Sequence, residues 1–142
     1  METQTIVVGF DASANGEKAA NFALQFAAAA RARLLLVFVV PPYVPEAEFP
    51  PPNVPEMMEM EGEAAELALK EMRAKLEGKG VEIATQVLFG NPADELFRLS
   101  EKPEVAMVIV GRTGKGALAR LLLGSVPLAL ARKCPKPLTI VP

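Results

Sequence analysis

Apolar residues in this chain gather into five short runs, and between them lie four stretches whose spacing and composition are helical. Thr5-Ile-Val-Val-Gly9 is short and β-branched, as a parallel strand buried on both faces should be. Ala19 to Arg31 is alanine-rich, with Phe22 and Phe26 four residues apart on one helical face. Leu34 to Val40 is a second continuous apolar run. Glu56 to Lys79 is rich in helix formers, pairs Glu66 with Lys70 at i, i+4, and stops at Gly78-Lys-Gly80. Val81 to Phe89 predicts a third strand, and Asn91-Pro92 a helix cap followed by proline at the first helical position, opening a helix to about Glu101. Val105 to Val110 is the fourth strand. Ser125 opens a last helix to about Lys133, Pro135 and Pro137 stop it, and Leu138 to Val141 is the fifth strand.

Strict β-α alternation predicts an α/β fold in which right-handed crossovers cover an open parallel sheet with helices on both faces. Ligands of such sheets bind beyond the carboxyl ends of the strands, where the strand order reverses. If strands one and four flank that point, Asp11 and Gly111 share one crevice. One segment stands outside the alternation: residues 41–55 hold seven prolines, which exclude helix or interior strand and predict a long, stiffened loop. It reads equally as a responding element on the ligand side of the sheet or as a spacer.

Composition narrows the chemistry. At 142 residues, 51% of them apolar, the chain has the size of one compact domain, taken as residues 1–142. A net charge of −2 offers no field for nucleic acid. No apolar run reaches spanning length and the N-terminus lacks a basic leader, so the expectation is a cytoplasmic protein without a membrane role. The chain contains no histidine, which removes Ser-His-Asp and Cys-His catalysis, and one cysteine, Cys134, which removes an intrachain disulfide. Cys134 stands near a helix C-terminus, where a thiolate is disfavoured.

The candidate chemistry lies in Gly111-Arg-Thr-Gly114, nine further residues, and Gly124-Ser125. Glycine permits positive φ and close approach to an oxyanion, and a helix start presents unpaired amides. Neither standard phosphate motif fits: Ala117 stands where a P-loop needs lysine, and the glycine spacing is not that of a dinucleotide fold. Gly111-x2-Gly114-x9-Gly124-Ser125 does resemble the ATP-binding signature of the universal stress protein family at every fixed position. Asp11 after the first strand and the alternation along the whole chain extend the resemblance.

What this resemblance implies is a three-layer five-stranded sheet of order 3-2-1-4-5, a nucleotide across the ends of strands one and four, and a homodimer through strand five. It sets Asp11 near the adenosine, the backbone around Val39 beside the base, Gly111 near the ribose, and Gly114, Gly124, Ser125 and Val126 at the phosphates. Arg112 and Lys115 lie in the same loop and read either as phosphate partners or as solvated cations. Mg2+ is expected with ATP, its shell completed by phosphate and water. Pro127 supplies no N-H to that first turn.

Two residue groups read as structural. Met57, Met58 and Met60 are expected to pack in the core or under a loop, and Ser125 serves equally as an N-cap and a phosphate contact. Strand five would leave an apolar edge that a second copy could cover. The functional expectation is an ATP-binding regulatory or stress-response protein with an unknown protein partner. The alternatives are a slow ATP hydrolase, in which Asp11, Arg112 and Lys115 are the only obvious participants, and an interaction module whose pocket is vestigial or holds AMP.

Overall fold

The computed structural model describes residues 3–44, 51–113 and 123–142. Strands β1 (Thr5–Gly9), β2 (Arg33–Val40), β3 (Ile83–Phe89), β4 (Val105–Gly111) and β5 (Leu138–Val141) alternate with helices α1 (Ala14–Ala30), α2 (Val54–Leu76), α3 (Pro92–Ser100) and α4 (Ser125–Lys133). The strands form one sheet of order β3-β2-β1-β4-β5, and every pairing is parallel.

Alternation within the strands divides the core in two. On one face Ile6, Val8, Leu34, Leu36 and Ile109 meet α1 and α2; on the other Val7, Val37, Val108 and Val110 meet α3 and α4. Because both faces are covered, neither alternate set is polar, and the central strands read as unbroken apolar runs.

The first helix shows how small side chains set the layer spacing. Ala19, Ala20, Ala23 and Ala27 are fully buried, so α1 lies close against the sheet. Phe22 and Phe26, the pair expected to mark one helical face, do share one and stack on each other at 6.4 Å, on the exposed side of the helix. The helix also begins five residues before the sequence expectation. Ser13 caps it by accepting from the amide of Gly16, and this cap carries the helix through Asn15-Gly16, a pair that reads locally as a breaker.

The proline-rich connection ends earlier than expected. Pro55 occupies the first turn of α2, where a missing N-H costs nothing; Pro45 and Pro50 lie outside the described residues. The methionine expectation fails in part, since Met60 is 69% exposed, although Met57 and Met58 are half-buried. At the other end of α2 the glycine stop holds: Gly78 and Gly80 take φ of 89° and 77°, a conformation that side chains resist. Asn91 caps α3 as expected, accepting from the amide of Asp94 at 3.1 Å. No described helix is long and apolar enough to cross a membrane.

The helices of the second layer are tied at their outer surface. Lys133 Nζ donates to Asp94 Oδ1 at 2.6 Å and lies 5.0 Å from the centre of the Phe97 ring. The hydrogen bond from Lys133, with its charge, holds the Asp94 carboxyl below its usual value of 3.8. A carboxyl lowered by folding adds stability above its unfolded pKa, and that stability is lost as pH falls through the folded value. Acid unfolding followed by circular dichroism should therefore show a shallower loss of stability below about pH 4 in Asp94→Asn than in the parent. At neutral pH the variant should be slightly the less stable of the two.

Candidate functional site

The strand order reverses between β1 and β4, so their carboxyl ends open the crevice that this class of sheet uses for ligands. β1 ends by a tight turn. Phe10 still donates its amide to the carbonyl of Val37 at 2.9 Å, and the chain then leaves the sheet at Asp11. Asp11 Oδ1 accepts from the amide and the hydroxyl of Ser13, at 3.0 and 2.5 Å. The same hydroxyl accepts from Gly16 N at 3.0 Å, so one short relay folds the turn and starts α1. Among the described residues Asp11 Oδ2 makes no hydrogen bond, and the side chain is half-buried at the crevice.

This turn is strained. Ala12 has φ of 62°, the left-handed region where a Cβ crowds the following carbonyl. Gly16 is required for a different reason: a Cβ there would stand 2.8 Å from Asp11 Oδ1.

Gly111 ends β4 against α1. A Cβ on it would lie 2.8 Å from the carbonyl oxygen of Asn15 and 2.9 Å from its carbonyl carbon, both backbone atoms that cannot move aside. Asn15 Nδ2 donates to Thr113 Oγ1, and Thr113 is 5% exposed. The first turn of α1 and the exit of β4 are thus joined by backbone contact and by a side-chain hydrogen bond.

Arg112 is half-buried, donates its amide to Val141 of β5 at 2.8 Å, and accepts from Gly124 N at 2.8 Å. The second bond closes the base of the segment between Thr113 and Leu123. A Cβ on Gly124 would come 3.2 Å from the Arg112 carbonyl oxygen. Gly111 and Gly124 therefore answer to close approach. Positive φ, the other reason for expecting glycine, is absent at both, since Gly124 has φ of −63° and Gly111 is not among the left-handed residues.

Gly124, and not Ser125, is the N-cap of α4; Ser125 is the first helical residue. The carbonyl of Gly124 accepts from Leu128 N at 3.1 Å, and Pro127 is buried in the first turn. Among the described residues the amides of Ser125 and Val126 have no acceptor. These two donors and the dipole behind them make a helix start suited to an anion.

Val39 enters from the other side of β1. Its register partner on β3 is Leu88, and it lies two residues past Val37, the last residue of β2 paired with β1. Since Val37 gives its carbonyl to β1 and Val40 gives its carbonyl to β3, alternation turns the N-H and C=O of Val39 toward the space vacated by β1. Its side chain is buried in the core, so only its backbone is offered.

Of the residues expected at the site, Asp11, Val39, Gly111, Arg112, Gly124, Ser125 and Val126 all stand at this end of the sheet. Gly114 and Lys115 lie outside the described residues. Ser13 and Asn15 were missed. The signal for Ser13 was present as Asp11-x-Ser13, a turn and cap pattern directly after a strand; nothing local marks Asn15.

Comparison with known proteins bears on the family and the fold. The universal stress protein family profile matches residues 2–142. A universal stress protein of Methanocaldococcus jannaschii is 33% identical over 139 residues, covering 96% of this chain and 80% of its own. One from Mycobacterium tuberculosis is 31% identical over 142 residues; the chain spans only 47% of that relative. Among solved structures, UspA from Lactobacillus plantarum superposes with a TM-score of 0.87 at 19% identity, covering 100% of this chain and 99% of its own. A universal stress protein solved in complex with cAMP is 29% identical with a TM-score of 0.69, covering 99% and 98%.

Two substitutions at this crevice should move stability in opposite directions. Gly111→Ala forces β4 away from α1 and should cost about 2 kcal/mol, as overpacking typically does. Ala12→Gly relieves the left-handed strain and should gain up to about 1 kcal/mol, less the entropy of the freer unfolded chain. Urea unfolding of the three proteins measures both.

Proposed function

The chain belongs to the universal stress protein family, and from that premise we propose that it binds ATP between the carboxyl ends of β1 and β4 and acts as a nucleotide-responsive regulatory protein in a stress response. The observation that carries this reading is the convergence at one end of the sheet of three incomplete hydrogen-bonding groups. They are the second oxygen of Asp11, the backbone of Val39, and the amides of Ser125 and Val126. Such groups favour a ligand that completes them.

An adenosine triphosphate matches them in order. The purine edge offers a donor and an acceptor to the Val39 backbone. The ribose hydroxyls donate to Asp11 Oδ2 beside Gly111, and the phosphates take the amides of Ser125 and Val126 next to Gly124. Gly114 and Lys115 belong to the same segment and are assigned to the phosphates with Arg112. The relative that holds cAMP supports an adenine nucleotide as the ligand class; the spaced glycines and the helix start favour the triphosphate.

Among the described residues no group of three metal-ligating side chains comes together. The fit for Mg2+ therefore rests on phosphate oxygens and water, which commonly supply most of its shell. Bound to the triphosphate, the ion would neutralise charge.

The function is holding and reporting. Asp11 Oδ1 is already engaged by the Ser13 relay, which makes this carboxylate a poor candidate to activate water. Nucleotide occupancy would bias a two-state element, and differential affinity for the two states is what makes ATP a signal. A homodimer through β5 is the element we assign: its outer edge is open among the described residues, and β5 receives the Arg112 amide from the nucleotide loop.

Calorimetry with Mg-ATP on protein stripped of nucleotide tests the reading. Binding at a single site is expected, and Asp11→Asn should weaken it about tenfold, because the amide keeps the Oδ1 turn but replaces the charged acceptor. No heat from ATP, with mass spectrometry finding AMP or no nucleotide in freshly purified protein, would overturn it.

A further inference from the structure

The opposite margin of the sheet carries a groove for which the nucleotide has no use. β3 is an end strand, and its backbone alternates between paired and free. Leu34 donates to the Glu82 carbonyl and Gly90 donates to the Val40 carbonyl, so the even-numbered residues face β2. Ile83, Thr85, Val87 and Phe89 consequently direct their N-H and C=O groups outward. Among the described residues no strand pairs with them. At seven residues this edge is longer than the four-residue β5, and it has no proline along it.

α2 overhangs that edge. Glu56, Glu59, Glu63 and Glu66 follow one another at three- and four-residue steps, which sets them along one flank of the helix, and all four are exposed. Residues 56–66 hold five glutamates and no lysine or arginine. A groove of about 450 Å³ runs between Glu63, Glu66 and Leu67 of α2 and Thr85 and Val87 of β3, with Lys70 at its end.

Large apolar side chains stand in the open around it. Met60 is 69% exposed, Leu67 56% and Phe89 54%, the last with its ring against Gly62. A free strand edge, an apolar margin and a helix flank that carries glutamates from Glu56 to Glu66 before Lys70 thus occupy one surface. Exposed edges of this kind are normally blunted by lysine, proline or a bulge on the strand itself; β3 has no lysine or proline, and the charges beside it, Glu63 and Glu66 with Lys70 the one cation among the groove's lining residues, sit on the helix above.

We propose that the open edge of β3 beneath the glutamate flank of α2 docks an extended, lysine- or arginine-rich segment of a partner protein, which adds to the sheet as a sixth strand. Charge complementarity selects this occupant. A second copy of the chain would bring its own acidic flank against this one, and like charges oppose that pairing. An extended segment satisfies the outward backbone groups, while every second side chain falls under α2 and meets Glu63 and Glu66. The docking surface is separate from the β1–β4 crevice, so it holds whether or not the nucleotide reading does.

The probe is an end-capped octapeptide of alternating lysine and valine, titrated into isotope-labelled protein and followed by amide NMR with hydrogen exchange. The amides of Thr85 and Val87 should shift and gain exchange protection. Glu63→Lys with Glu66→Lys should weaken binding about tenfold, with circular dichroism confirming the parent fold. The same peptide N-methylated on alternate residues should not bind. The proposal is overturned if β3 amides do not respond, if the N-methylated peptide binds equally well, or if β3 protection arises without peptide as protein concentration rises.

Discussion

The contact between Gly111 and the backbone of Asn15 is the constraint on which the crevice depends. The carboxyl end of β4 and the first turn of α1 meet with no space for a methyl group, at 2.8 Å from a hypothetical Cβ to the Asn15 carbonyl oxygen. That approach brings Asn15 within reach of Thr113 and fixes where the chain departs after β4. Gly124, bonded to the carbonyl of Arg112, then returns the chain to the same spot and starts α4 there. The amides at the start of α4 thus owe their position to packing between the end of β4 and the first turn of α1 that lies against it.

The glycines that resemble a nucleotide signature are therefore structural as well. Gly111 and Gly124 are needed by protein atoms before any ligand arrives. The left-handed Ala12 and the Asp11-Ser13 relay show the same economy at the end of β1: one carboxylate oxygen closes the turn, and the other makes no hydrogen bond among the described residues. Local strain at such a position is tolerated because neighbours over-determine it. A site assembled this way is organised in advance, which lowers the ordering cost of binding.

Most of the fold was legible because the core is covered on both sides. Strands such as Val105 to Val110 are apolar at nearly every position, and this feature, with intervening helices, leaves few topologies open. The full strand order came from family resemblance, since pairing partners of β3 and β5 leave no local mark. Legibility failed where local cues conflict with tertiary context. Asn15-Gly16 looks like a break, yet Ser13 and Asp11 hold it in helix; Phe22 and Phe26 share a face, but which face of α1 is buried is decided by the alanines that fit against the sheet. At this end of the sheet, Gly111 and Gly124 stood out by their spacing and Asp11 by its place directly after the first strand. Asn15 did not, because its role exists only when residues 98 apart in sequence meet.

The most direct test is an amide NMR titration of the stripped protein with Mg-ATP. The account requires the amides of Val39, Ser125 and Val126 to shift together and saturate at one nucleotide concentration, with the Ser125 and Val126 resonances moving downfield as they donate to phosphate. Saturating shifts confined to other surfaces, or an unmoved α4 start while Val39 responds, would contradict it.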